Sequence, residues 1–190
     1  CPDDEMRSNF ELPDFITKMI KNKWLGDKTK QGFYKKSKDE KGKRIIEALN
    51  LNTMQYAHKK RTKFATIKAA KQEKTLLKRL KILVKGKDKA GEFYRRSFYS
   101  TFAYVSHRIP EITDDLYKID RALCAGFGWE IGPFQMWDAL DVEKTLSKME
   151  EAGYKAAPWV YEMVKSGNTS FYTTEKGTLN YYNIPTKAKK

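Results

Sequence analysis

Apolar residues fall at helical spacing from residue 12 onward. Leu12, Phe15, Ile16, Met19 and Ile20 share one face, and Pro13 suits a first turn. The spacing predicts a helix over 12–23, with Gly26 as the residue that closes it. The pattern then shortens. Residues 32–36, 44–49 and 54–57 read as three strands, separated by turn clusters at 39–42 and 50–53. Such a meander is too small to be stable alone. Helical spacing returns from residue 66: Ile67, Ala70, Leu76, Leu77 and Leu80 line one side of a single helix predicted over 66–84. Over 89–107, Phe93, Tyr94, Phe98, Phe102 and Tyr104 occupy several faces, which predicts a central, buried helix. Further helices are predicted over 115–125, 133–140, 142–152 and 158–165. Residues 171–182 read as a β-hairpin turning at Glu175-Lys176-Gly177. The first ten residues carry no obvious element, and the tail from residue 184 is expected to fray.

The most distinctive stretch is 119–138, IDRALCAGFGWEIGPFQMWD. It reads as the end of one helix, a glycine-rich turn and the start of another. Gly126, Gly128 and Gly132 mark backbone that turns sharply or approaches another segment closely. Pro133 fits a first helical position, where its missing N–H costs nothing. Phe127, Trp129, Ile131, Phe134, Met136 and Trp137 are expected to fill the space between, making a buried junction of two helices.

The chain also resembles itself. Phe15, Ile16, Met19, Ile20 and Lys21 match Trp159, Val160, Met163, Val164 and Lys165 at a constant offset of 144, and Phe33-Tyr34 matches Phe171-Tyr172 at 138. Both copies then run into a hairpin. Two tandem domains of one ancestral type account for this, the first represented only by its last helix and β tail.

Composition narrows the class. At 190 residues with 40% apolar and 33% charged residues, the chain can support a core, and no run approaches a membrane span. No apolar signal-peptide core is visible near the start, and Cys1 and Cys124 make neither a disulfide framework nor a metal motif. Cys124 reads as a reduced core residue, no metal is expected, and the cytoplasm is the expected compartment. The formal charge is +14, and 59–89 holds 13 Lys or Arg against Glu73 and Asp88, a net of +11. That segment fits either a solvated helix face or a phosphate-binding patch. The near absence of interleaved aromatics favours the solvated face and leaves a nucleic-acid-binding module as the alternative. His58 reads as solvated and His107 as a helix-end residue. No nucleophile–base set and no G-x-G-x-x-G following a strand is present.

The stretch at 119–138 resembles the helical C-terminal domain of the NAD-dependent 3-hydroxyacyl-CoA dehydrogenases of fatty-acid β-oxidation. That family carries ID-x-A-x-x-x-G-x-G-x-x-x-GPF-x-x-x-D, and Ile119, Asp120, Ala122, Gly126, Gly128, Gly132, Pro133, Phe134 and Asp138 stand in the matching places. The family's K-T-G-x-GFY exit is similar to Lys28 to Tyr34, with Lys30 replacing a Gly. The resemblance implies a mainly α fold, like the C-terminal helical domain of 6-phosphogluconate dehydrogenase, with short hairpin and meander additions. It implies a first-domain tail at 1–36, a basic linker at 37–88, a second, degenerate helical domain at 89–182 and a tail at 183–190. It implies a parent enzyme whose NAD and catalytic His–Glu pair lie in a Rossmann domain outside these residues. An enoyl-CoA hydratase domain is often attached, the substrate is an acyl-CoA, and a homodimer is compatible. The family's first helix carries V-N-R, its Asn holding substrate; here the run is EFYRRSFYS, with Arg95 and Arg96 and no Asn. The resemblance therefore implies a non-catalytic portion with no catalytic or cofactor-binding residues. Gly126, Gly128, Gly132, Pro133, Phe134, Asp138, Gly32, Phe33 and Tyr34 form its scaffold or substrate-groove motif, and Asp120 and Asp138 cap and join helices rather than carry protons.

Overall fold

The computed structural model describes residue 4, residues 6–59 and 62–184, and the backbone of 188–189. Cys1 lies outside the described residues. The fold is mainly α with short antiparallel sheets, and the chain divides into two units, Cys1–Thr62 and Lys63–Lys190.

In the first unit a 3-10 turn at Arg7–Phe10 gives the N-terminal residues an element that the pattern did not show. Helix α1 is Asp14–Lys21. Lys23, at φ 58°, is the left-handed residue that ends it, so Gly26 is not its closing residue. Gly26 instead bridges Gln31 across a short loop. Strands β1 (Tyr34–Lys38), β2 (Arg44–Asn50) and β3 (Gln55–His58) form an antiparallel meander in the order β1-β2-β3. Tyr34 faces Ala48 and Leu49 faces Tyr56. The first strand begins two residues later than the pattern suggests, because Gly32 and Phe33 belong to the entry turn. The Tyr56 hydroxyl donates to the Gly32 carbonyl at 2.6 Å and packs on Trp24.

The second unit begins with α2 (Ala65–Gln72) and α3 (Leu76–Lys85), two helices where one is expected over 66–84. Glu73 and Thr75 are extended, and Arg79 donates from its guanidinium to the Glu73 and Lys74 carbonyls, holding the break. Helix α4 (Lys89–His107) starts at Asp88, whose carboxylate accepts from the Gly91 and Thr66 amides and so ties α2 to α4. A bond from the Thr66 side chain, and then those from the amides, hold the Asp88 carboxyl below the usual range. Gly91 lies so close to Gly86 that a Cβ would sit 2.6 Å from the Gly86 Cα. Helix α4 is not buried all round: Tyr99, Phe102, Val105 and Ser106 face the core, while Phe93 is 66% exposed.

Helices α5 (Leu116–Phe127), α6 (Pro133–Ala139), α7 (Val142–Glu151) and α8 (Pro158–Lys165) follow. Asp141 caps α7 through the Lys144 amide. The chain ends in a sheet of β4 (Tyr172–Glu175), β5 (Thr178–Asn183) and β6 (Ala188–Lys189). The tail is therefore not frayed throughout, because Ala188 and Lys189 pair with Asn183 and Tyr182; residues 185–187 and 190 lie outside the described residues. The core of this unit is aromatic. Phe102 stacks on Trp137 at 5.0 Å, and Phe171 meets Phe134 edge-on at 5.0 Å and Trp137 at 5.2 Å. All four rings are fully buried. Ser106 joins α4 to α8: its hydroxyl accepts from the Ala157 amide and its carbonyl from the Trp159 indole N–H, each at 2.9 Å.

Candidate functional site

Two buried or half-buried carboxylates organise the corner between α5 and α6. A short helix leaves its first amides without internal acceptors. Asp120, one helix earlier, supplies them: its oxygens accept from the Phe134 amide at 2.9 Å and the Gln135 amide at 3.1 Å, and from the Tyr172 hydroxyl at 2.9 Å. Asp120 is almost wholly buried. Burial outweighs these three donors and pushes its carboxyl up to about 6. Desolvation, and then the neighbouring Asp120 charge, push the Tyr172 hydroxyl upward, so it stays protonated and donates. The Gln135 side chain closes the cap by accepting from the Gly132 amide at 3.0 Å. Asp138, at the other end of α6, accepts from the Phe171 amide at 2.7 Å and the Tyr172 amide at 2.8 Å. Helix α6 is thus held at its start by α5, and at its end it holds the first strand of the hairpin.

The glycines of this corner do different work. A Cβ on Gly132 would fall inside the Asp120 side chain and 2.5 Å from its Cα, so the close approach is real there. Gly128 sits at φ 67° as the left-handed residue that ends α5, with open space where a Cβ would point. Gly126 is helical, exposed and meets nothing within 4 Å. Gly132 thus makes the close approach and Gly128 the sharp turn, while Gly126 does neither. Nor is the junction buried throughout: Phe127 is 73% exposed and Trp129 is 38% exposed. Pro133 and Phe134 are buried as the apolar pattern implies, and Cys124 is only half-buried.

Trp129 and Ile131 instead line an open cavity of about 370 Å³ between α3, α4 and the α5–α6 turn, with Leu76, Phe98, Thr101 and Met136. Arg95 lies on α4, in the run compared with the V-N-R of the resembled family. Its guanidinium donates to the Val84 carbonyl at 2.8 Å and also to the Gly86 carbonyl, closing the end of α3. Arg96 pairs with Glu92 at 2.9 Å on the surface. The sequence carried no signal for the Arg95 contact, because its acceptors are backbone carbonyls nine and eleven residues away.

The amides at the start of α6 are already bonded. A phosphate at a helix start is bound by free backbone amides, and here Asp120 takes those of Phe134 and Gln135. His107 Nε2 lies 3.3 Å from the Lys155 carbonyl, and His58 is exposed on β3. Among the described residues no His, Cys, Asp or Glu cluster could hold a metal ion, and no helix is long and apolar enough to cross a membrane.

Of the expected site residues, Gly132, Pro133, Phe134 and Asp138 come together around Asp120 and Phe171, and Gly126 and Gly128 lie on the rim. Gly32, Phe33 and Tyr34 belong to the first unit. There Gly32 is buried, while Phe33 is 48% and Tyr34 56% exposed.

The chain is 38% identical over 180 residues, 95% of its length, to a Bacillus subtilis (strain 168) protein named "Probable 3-hydroxyacyl-CoA dehydrogenase". It is homologous to part of a 3-hydroxyacyl-CoA dehydrogenase. It is also 27% identical over 121 residues, 64% of its length, to a Rickettsia felis protein named "Putative fatty acid oxidation complex trifunctional enzyme". A Rickettsia prowazekii protein of the same name is 25% identical over 119 residues. The chain spans 22% of the Bacillus relative and 15% of each rickettsial one. No family model and no solved structure matches it.

Proposed function

We propose that this chain is the non-catalytic helical portion of a 3-hydroxyacyl-CoA dehydrogenase of fatty-acid β-oxidation. It shapes the substrate groove and packs against the other domains of the parent, a Rossmann domain and, in a trifunctional parent, an enoyl-CoA hydratase domain. NAD-dependent oxidation takes place in the Rossmann domain, in the cytoplasm. The observation that carries the reading is the use made of Asp120 and Asp138. Both carboxylates serve backbone amides, so the motif acts as scaffold rather than as acid, base or phosphate cradle. The run EFYRRSFYS offers Arg95 or Arg96 for the Arg of V-N-R and no Asn to hold substrate, and Arg95 is bound to the end of α3, which supports the same conclusion. Residues 1–36 are then the tail of a first helical domain, 37–88 the connection and 89–182 a second, degenerate copy.

The identity over 95% of the chain to a dehydrogenase supports this reading over a nucleic-acid module at 59–89. Lys68 and Lys71 of α2 and Lys78, Lys81 and Lys85 of α3 are exposed. The test is NADH formation from 3-hydroxyacyl-CoA by the purified 190 residues and by the complete polypeptide. Turnover is expected from the complete polypeptide alone, and turnover by the 190 residues overturns the non-catalytic reading.

A further inference from the structure

The sequence repeat is also a repeat of backbone contacts. The Ile16 amide bonds the Pro13 carbonyl as Val160 bonds Ala157; Asn22 bonds Lys18 as Ser166 bonds Glu162. Lys23 bonds Ile20 as Gly167 bonds Val164, and Trp24 bonds Met19 as Asn168 bonds Met163. Every pair keeps the offset of 144. Lys23 and Gly167 both have positive φ. Past the loop the likeness continues. Phe15 meets Phe33 at 65° as Trp159 meets Phe171 at 68°, and the Phe33 carbonyl accepts from Leu49 as that of Phe171 accepts from Tyr182. Helix α1 with β1 and β2 is therefore the counterpart of α8 with β4 and β5.

The two copies differ in what lies over them. Phe171 is 0% exposed because Phe134 and Trp137 of α6 cover it, whereas Phe33 is 48% exposed. Val160 is fully buried while its counterpart Ile16 is not. Asp138 takes the Phe171 and Tyr172 amides; among the described residues, no carboxylate takes those of Phe33 and Tyr34. Ile20, Phe33 and Tyr34 thus stay exposed, with the Lys59 ammonium over the Tyr34 ring, and the cover missing from this face is specified by the second copy.

We propose that in the complete polypeptide this face is covered by a helical layer of the α4–α6 kind, supplied by the segment preceding residue 1. An aspartate of that layer takes the Phe33 and Tyr34 amides as Asp138 takes those of Phe171 and Tyr172. The order of the repeat fixes the source: Asp138 lies 20 residues ahead of Pro158, the counterpart of Asp14, so its equivalent lies about 20 residues ahead of Asp14. The Bacillus subtilis relative, of which the match occupies 22%, has ample length for such a layer. The proposal rests on the tandem-domain part of the reading above, and not on the dehydrogenase activity.

Amide hydrogen exchange tests it, comparing the complete polypeptide with the 190 residues. The Phe33 and Tyr34 amides are expected to exchange at least about a hundredfold more slowly in the complete polypeptide. Equal rates overturn the covering layer. Replacing the aspartate about 20 residues ahead of Asp14 by Asn, in the complete polypeptide, is expected to remove that protection while Phe171 and Tyr172 keep theirs. Protection that survives the change overturns the carboxylate contact. Turnover of 3-hydroxyacyl-CoA by the same preparation separates the two readings: protection without turnover keeps the layer and removes the dehydrogenase assignment, and turnover without protection does the reverse.

Discussion

Gly126 and Gly132 lie six residues apart in one motif, and the space around them gives them opposite roles. Gly132 has the Asp120 side chain and Cα where a Cβ would go, so Gly132→Ala has to push α5 from α6 and break the cap. Overpacking of this kind costs about 1–3 kcal/mol. Gly126 is an exposed helical residue with open space, and Ala there gains roughly 0.5–1 kcal/mol of helix stability. Urea unfolding of the two variants is therefore expected to move in opposite directions; a shared direction counts against the close approach at Gly132. Asp120 adds a pH signature. Its carboxyl is raised from 3.8 to about 6 by burial, so between those values the folded state holds a proton that the unfolded state releases. Its contribution is greatest below pH 4 and is lost as pH rises through 6, by at most about 3 kcal/mol at roughly 1.4 kcal/mol per unit. Asp120→Asn is expected to remove that slope, seen as a difference between variant and parent unfolding curves from pH 4 to 7.

At the scale of elements, what the sequence showed depended on whether the signal was local. Helices α4 and α8 were legible to the residue because Asp88 caps one and Pro158 opens the other. The break between α2 and α3 was legible in principle: residues 71–75 are Lys-Gln-Glu-Lys-Thr, more than a turn with no apolar residue, ahead of a Thr suited to a helix start. It was hidden by the lack of Gly or Pro. The exposure of Phe127 and Trp129 could not be read, because it depends on which neighbours reach the rim. The Asp138 contact joins residues 33 and 34 positions apart, beyond any local pattern. It nevertheless decides how the last hairpin is anchored. Asp138→Ala leaves the Phe171 and Tyr172 amides without their acceptor and is expected to cost about 3–6 kcal/mol, since each of the two bonds to a charged group is worth about 1.5–3 kcal/mol. Faster exchange confined to those two amides and the β4–β5 ladder identifies the cause; uniform loosening of the unit does not.

For the whole molecule, the two units differ in how much apolar surface they bury for themselves. In the second, one continuous cluster runs from Leu80 of α3 through Phe102, Phe134, Trp137 and Val160 to Phe171 and Tyr182. In the first, Met19 and Leu49 are the buried apolar side chains among the described residues, while Phe10, Leu12, Ile20, Leu25 and Phe33 stay exposed. A chain of about 60 residues buries only about 60% of its unfolded surface even when well packed, and a three-stranded meander with one short helix falls below that. With only Met19 and Leu49 buried among its described apolar side chains, it has little core to offset the ordering of its backbone. Residues 63–190 expressed alone are therefore expected to unfold cooperatively and to keep the near-ultraviolet dichroism of their packed aromatic rings. Residues 1–62 alone are expected to show neither property. Cooperative unfolding of 1–62 would mean that its exposed face needs no cover, and the half-domain reading of the first unit would fail with it.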